Sequence, residues 1–245
     1  MKLTNFKALT FDCYGTLVDW ETGMINGLAS LVEKVDRPLS RNEILEAHAF
    51  YEAAHQRQTP AKRYPDVLAT VYKRLAEEWG ATFTNEECVA YGRSVYDWPA
   101  FPDSAEALAY LKDHFELVIL SNVDNASFAA SAVKLDVQFD AIYTAEDIGS
   151  YKPAQANFDY MLSMLQRRGL AKSDILHVAE SMFHDHVPAR ANELATCWIY
   201  RRHDQEGFGA TMRPDYKPDT DFTFHSMQQF ADAHKAELAL RNGHS

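Results

Sequence analysis

Cysteine is scarce in this chain. Cys13, Cys88 and Cys197 are the only three, an odd count with no CxxC spacing. That excludes a disulfide framework and argues against a zinc site. Long apolar runs are missing as well, and no segment reaches the roughly 20 residues that span a bilayer. The amino terminus runs directly into a first strand and lacks the apolar core of a signal peptide. A cytoplasmic protein without membrane association is the expectation. Positive charge is short too. Lys and Arg number 24 against 35 Asp and Glu, a net charge of −11, with a pI near 5.3. No broad basic surface is available for nucleic acid. A small anionic substrate needs only a locally positive pocket. Repeats and low-complexity stretches are also lacking.

What is present is ordinary for a globular protein: 245 residues, 47% hydrophobic and 24% charged. That is one large domain, or a domain with a substantial insertion. Short runs rich in β-branched residues lie at Ala8 to Phe11, Leu117 to Leu120, Ala141 to Thr144, Ile175 to Val178 and Thr196 to Tyr200. Amphipathic stretches separate them, at Ser104 to Phe115, Ser127 to Leu135, Gln155 to Arg168 and Val187 to Leu194. This alternation predicts a parallel sheet covered on both faces, with ligands bound beyond the carboxyl ends of its strands. Residues 19–98 break the alternation. Ile25, Leu28, Leu31 and Val32, then Val67, Val71 and Leu75, recur at helical spacing. The segment reads as a helical cap inserted into a core formed by residues 1–18 and 99–245.

Four places at predicted strand ends carry chemistry: Asp12 with Thr16, Ser121 with Asn122, Lys152, and Glu180 through Asp185. Each has an ordinary explanation alone, as a cap, a turn residue or a solvated loop charge. Together, at successive strand ends, they describe a site. A strand that delivers Asp12 to its carboxyl end, followed by the permissive Gly15, presents a nucleophile in a crevice.

In these residues the chain resembles the haloacid dehalogenase superfamily. Phe11-Asp12-Cys13-Tyr14-Gly15-Thr16-Leu17 matches its first motif and Leu120-Ser121-Asn122 its second. Tyr151-Lys152-Pro153 matches the third, and His177 to Ser181 with Asp185 the fourth. The resemblance implies a Rossmann-like α/β core with a helical cap, and covalent catalysis by Asp12. It implies that Lys152 keeps Asp12 ionised. Thr16, Ser121 and the Asn122 amide would donate to the substrate's anionic oxygens. Asp185 would hold Lys152 or position the attacking water.

Two positions point to different reactions. Phosphoryl-transferring relatives carry a second Asp two residues after the nucleophile, which protonates the leaving alkoxide. Here Tyr14 stands there, a poor acid at neutral pH with an ordinary pKa of about 10. A halide needs no proton. The Asp12-x-Tyr14 form looks like the type II 2-haloacid dehalogenases, whose reaction displaces halide from C2 of a short haloalkanoate without a cofactor. Ala195 to Ile199 looks like that branch too. Glu180 disagrees, since it stands where the phosphatase branch has a metal-binding Asp, although in a dehalogenase it would serve as a water-orienting base or a partner for Lys152. Asp12, Glu180 and Asp185 are therefore the candidate ligands of an alternative Mg²⁺-dependent phosphatase.

The dehalogenase resemblance departs in detail. Glu180 and Met182 replace that branch's Ser and Asn, and Phe158 replaces its Tyr. Met182 and Phe158 are thus candidate substrate contacts. That branch binds halide with a cap Arg, and Arg57 or Arg63 is expected to face Asp12, in a stretch with five basic residues against Asp66. Trp20 is expected as an apolar wall at the cap hinge. His184-Asp185-His186 reads as a helix start, not as a metal site. Relatives in this branch are commonly homodimers, which the resemblance extends to this chain.

Overall fold

The computed structural model describes residues 1–242. Six strands form one parallel sheet: β1 Ala8–Phe11, β2 Glu116–Ser121, β3 Ala141–Thr144, β4 Ile175–Ala179, β5 Ala195–Ile199 and β6 Phe222–Phe224. Their order is β3-β2-β1-β4-β5-β6. The chain winds outward from β1 in one direction and then, from β4, in the other. β1 therefore sits at the switch point of a doubly wound sheet, where the crevice for a ligand opens.

The strands read as continuous apolar runs because both faces are covered. Leu9, Phe11, Leu117, Ile119, Leu176 and Val178 enter one core. Ala8, Val118, Leu120 and Ile175 enter a second on the opposite face, with Phe158, Met161 and Leu165. The covering helices are α5 Ser104–Lys112, α6 Asn125–Leu135, α7 Ala145–Ile148, α8 Gln155–Arg167, α9 Val187–Ala191 and α10 Met227–Asn242. Two predicted helices end early. Glu193 adopts φ 61°, which closes α9 before Leu194, and the chain leaves α5 at Asp113 to enter β2. β6 and α10 were not foreseen. β6 is only three residues long and half-buried, an edge strand recognisable by its pairing with β5.

Between β1 and β2 stand the cap helices α1 Trp20–Val32, α2 Arg41–Gln58, α3 Tyr64–Trp79 and α4 Asn85–Arg93. Their ends follow from local chemistry. The Asp19 side chain accepts from Thr22 N, capping boxes Ser40/Glu43 and Thr84/Glu87 open α2 and α4, and Gly80 in a left-handed conformation stops α3. Leu28, Leu31, Val67, Val71 and Leu75 are all fully buried. The cap core merges with the sheet core through Tyr14, Leu17, Trp20, Tyr64 and Trp98. Tyr151 Oη donates to Lys62 O at 2.5 Å, fastening cap to core above the sheet's carboxyl edge.

Candidate active site

β1 ends by handing Asp12 to the crevice, and Asp12 N still donates to Val178 O at 3.1 Å. The chain then reverses tightly. Gly15 adopts φ +97°, and Leu17 N and Val18 N both donate to Cys13 O. This turn places Thr16 Oγ1 so that it donates to Asp12 Oδ2 at 2.7 Å while accepting from Glu180 N at 2.9 Å. Thr16 thereby ties the ends of β1 and β4 together.

Lys152 arrives from the loop between α7 and α8. Asn122, just past β2, clamps its backbone: Lys152 N donates to Asn122 Oδ1 at 2.6 Å, and Asn122 Nδ2 donates to Lys152 O at 3.0 Å. The ammonium donates to Leu120 O (2.8 Å), Asp12 Oδ1 (3.0 Å) and Asp185 Oδ1 (2.7 Å). That exhausts its three protons. Asp185 Oδ1 also lies 3.0 Å from His177 Nε2, whose other ring nitrogen meets Thr10 Oγ1 at 2.8 Å. Among the buried oxygens that lack partners are two of the expected site, Ser121 Oγ and Asp185 Oδ2. Leaving such groups unpaired is costly unless a ligand or water completes them.

Burial pushes the Asp12 carboxyl above its ordinary range, while Lys152 and Thr16 pull against the rise. Burial would raise Asp185 as well, but Lys152 and His177 outweigh it and hold that carboxyl well below the usual range. Burial lowers the Lys152 ammonium and the two carboxylates overcome it, leaving a net upward shift. Lys152 thus stays charged between the two carboxyls, and its charge works against the rise that burial imposes on Asp12.

Tyr14 contributes its ring to the cavity over Asp12, but its hydroxyl turns away. Tyr14 Oη donates to Ser127 O at 3.2 Å and lies 2.7 Å from Ser131 Oγ, both on α6. Burial pushes this phenol well above its ordinary pKa. The position two residues after Asp12 thus supplies no acid to a leaving group.

A protein-family model described as haloacid dehalogenase-like hydrolase matches residues 6–181. The chain belongs to that hydrolase family. Among solved structures, an L-2-haloacid dehalogenase is 22% identical, with a TM-score of 0.73 over 94% of this chain and 99% of that one. The L-2-haloacid dehalogenase of Xanthobacter autotrophicus, solved with chloropropionic acid covalently bound, is 17% identical, with a TM-score of 0.70 over 94% and 98%. The HAD-hydrolase YfnB of Bacillus subtilis, bound to magnesium, is 18% identical, with a TM-score of 0.71 over 94% and 99%. At these identities the likeness establishes the fold and leaves the substrate open. No curated protein matches the sequence.

In this haloacid dehalogenase-like hydrolase, Asp12, Tyr14, Trp20, Asn122, Lys152 and Asp185 line one cavity of about 20 Å³, with Ser181 and His184 beside them. That is room for about one water, so the structure shows the cap closed. The cap wall is Glu52, Gln56 and Tyr64. Neither expected arginine lies there. Arg63 is drawn to the core carboxylates Asp124 (3.5 Å) and Glu146 (3.6 Å). Arg57, one residue beyond Gln56 on α2, points to an outer cleft of about 500 Å³ that shares Gln56, Lys152 and His184 with the inner cavity. Arg57 thus lines the approach to the inner cavity and not the cavity itself.

Phe158 and Met182 are also outside the cavity. The inward face of α8 puts Phe158 in the second core, edge-on to the His177 ring at 5.4 Å. Met182 is buried in the π-helical turn Met182–His186 that precedes α9. Glu52, Gln56, Tyr64, His177 and His184 are site residues that motif reading passed over. Of these, His177 and His184 stand inside or beside the fourth motif and were the more accessible to inspection.

Asp12 and Asp185, two of the three candidate Mg²⁺ ligands, each give one oxygen to the Lys152 ammonium. Glu180 lines a different cleft, of about 470 Å³, with Gly15, Trp20, Glu21, Arg201 and Arg202. Among the described residues no three His, Cys, Asp or Glu converge to hold a metal ion. Burial, then Glu21 and Asp12, push the Glu180 carboxyl up to about 8. No helix among the described residues is long and apolar enough to cross a membrane.

Proposed function

We propose that this chain is a hydrolytic dehalogenase of short 2-haloalkanoic acids. The observation that carries the reading is the Tyr14 hydroxyl, bonded to α6 and deprived of acidity. A phosphate ester leaves as an alkoxide that benefits from a proton, whereas a halide leaves as a stable anion. One Asp12 oxygen attacks C2 of the acid, the carbon–halogen bond breaks, and the halide takes its electron pair. The product of this step is an ester on Asp12. Water then adds to the Asp12 carboxyl carbon and the 2-hydroxy acid departs, with one proton released to solvent.

Ser121 Oγ, buried and unpaired at the end of β2 though not on the wall of the Asp12 cavity, is the donor offered to the substrate's carboxylate once the cap opens. Asp185 Oδ2, also unpaired and on the cavity wall, is the acceptor left to orient the hydrolytic water. Because the closed cavity holds about one water, the cap opens to admit the acid and closes before chemistry.

The test is a halide-release panel of chloroacetate, fluoroacetate and 2-chloropropionate, with and without EDTA. Halide and hydroxy acid are expected in equal amounts and indifferent to EDTA, and Asp12→Asn abolishes both. A single turnover in ¹⁸O-water should label Asp12 and not the product. EDTA-sensitive hydrolysis of p-nitrophenyl phosphate, with no halide from any acid, sinks the reading.

A further inference from the structure

The wall facing Asp12 across the cavity is unusual for a site that handles anions. On α2, Glu52 and Gln56 stand one turn apart and both line the Asp12 cavity, with Tyr64 of α3 beside them. Glu52 is 3% exposed. Gln56 Nε2 donates to Glu52 Oε1 at 3.3 Å, and Tyr64 shares a hydrogen bond with the same carboxyl. A basic group on the same helix, His48, lies one turn earlier, with Nδ1 3.8 Å from Glu52 Oε2. Both His48 ring nitrogens lack a hydrogen-bond partner, and burial holds the ring down at about 3, so it is neutral.

The groups that face Glu52 from other elements offer it no charge either. Tyr14, Tyr64 and Tyr91 are pushed well above their ordinary pKa by burial. Burial holds His184 down at about 4. Lys152 has spent its three protons on Leu120, Asp12 and Asp185. An ionised Glu52 would be a buried, uncompensated charge opposite two carboxylates and the substrate's own. Below about pH 7 the neutral acid is the cheaper form, and a neutral carboxyl is a hydrogen-bond donor.

We propose that Glu52, as the neutral acid, and the amide of Gln56 form the leaving-group cradle of this enzyme, two uncharged donors on α2 that receive the halide departing from C2. The assignment rests on the dehalogenase reading above and adds where the halide goes. No proton is transferred. The carbon–halogen electron pair leaves with the halogen, and the Glu52 O–H and Gln56 N–H bonds point their hydrogens at the charge as it develops. Substrate choice follows: fluoride, the hardest leaving group and the strongest acceptor, depends most on the cradle.

Because burial sets Glu52 at about 7, wild-type kcat should fall about tenfold between pH 6 and pH 8 as the carboxyl ionises. Glu52→Gln keeps a neutral donor, so it should hold kcat within about fivefold of wild type at pH 6 and lose the alkaline fall. Glu52→Ala should lower kcat about a hundredfold, more for fluoroacetate than for bromoacetate. Glu180 titrates in the same window, at about 8, and Glu180→Gln separates it: the alkaline fall persists in that variant. If Glu52→Ala fails to fold by circular dichroism, the Glu52→Gln pH profile decides. A Glu52→Gln profile that overlays wild type overturns the cradle while leaving dehalogenation standing, as does wild-type kcat in folded Glu52→Ala. No halide from any acid with wild-type enzyme overturns the dehalogenase reading itself, and the cradle with it.

Discussion

Lys152 shows how little of a site residue lies in its identity alone. Its ammonium is 2% exposed and holds two buried carboxylates apart, 3.0 and 2.7 Å from each. Its charge favours the ionised form of both acids. Removing one member of such a buried group leaves uncompensated charge. Lys152→Met should therefore abolish turnover and cost about 3–5 kcal/mol of stability in urea denaturation. Adding Asp12→Asn to that variant should recover part of the loss; additive losses would show that the two side chains do not interact. The motif reading found Lys152 because its charge and its Tyr-Lys-Pro setting are legible. It could not show the Asn122 clamp on the Lys152 backbone, since nothing in the sequence brings residues 30 apart into contact.

At the scale of elements, the turn after β1 and the second cap helix behaved differently under inspection. The turn was readable because its demands are local. Gly15 needs φ +97°, and a Cβ there would meet Trp20 Nε1 at 2.9 Å. Gly15→Ala should cost about 1–3 kcal/mol and, by shifting Thr16, lower kcat with Asp12 and Lys152 intact. An alanine enzyme with wild-type Tm and kcat would remove that account. The cap helix was readable as a helix and unreadable as a wall. Arg57 lies next to Gln56, yet about 100° of helical rotation separates neighbours, so one side chain lines the inner cavity and the other the outer cleft. A charge count over residues 57–74 records the cations and not the direction each one takes.

Over the whole molecule, the buried titratable groups set a stability dome. Glu52 and Glu180 are raised from 4.5 to about 7 and about 8. Their contribution is fully present below the unfolded value and is lost as pH rises toward the folded one. His48, His184 and His186 are lowered from 6.5 to about 3, 4 and 4. Burial is the leading cause in each, and their contribution is lost as pH falls below 6.5. Melting temperature should thus peak between about pH 5 and 6.5. Glu180→Gln should flatten the alkaline arm, gaining about 2–4 °C at pH 8 for each kcal/mol relieved, and leave the acid arm alone. A melting temperature constant from pH 5 to 8 would refute this. The dome belongs to the folded chain, because only folding buries these groups. The same division runs through the whole protein. Strand and helix alternation, the Asp12 turn and the motif-borne Ser121, Lys152 and Asp185 were determined by local sequence, because apolar period and backbone permissiveness are local properties. The direction of the Tyr14 hydroxyl, the diversion of Arg63 to Asp124, the placing of Glu180 in a cleft beside the Asp12 cavity and the arrival of Glu52 on the wall of that cavity were decided only by the tertiary fold. Those are contacts between distant residues, and burial and pairing, which set charge and direction, exist only once they form.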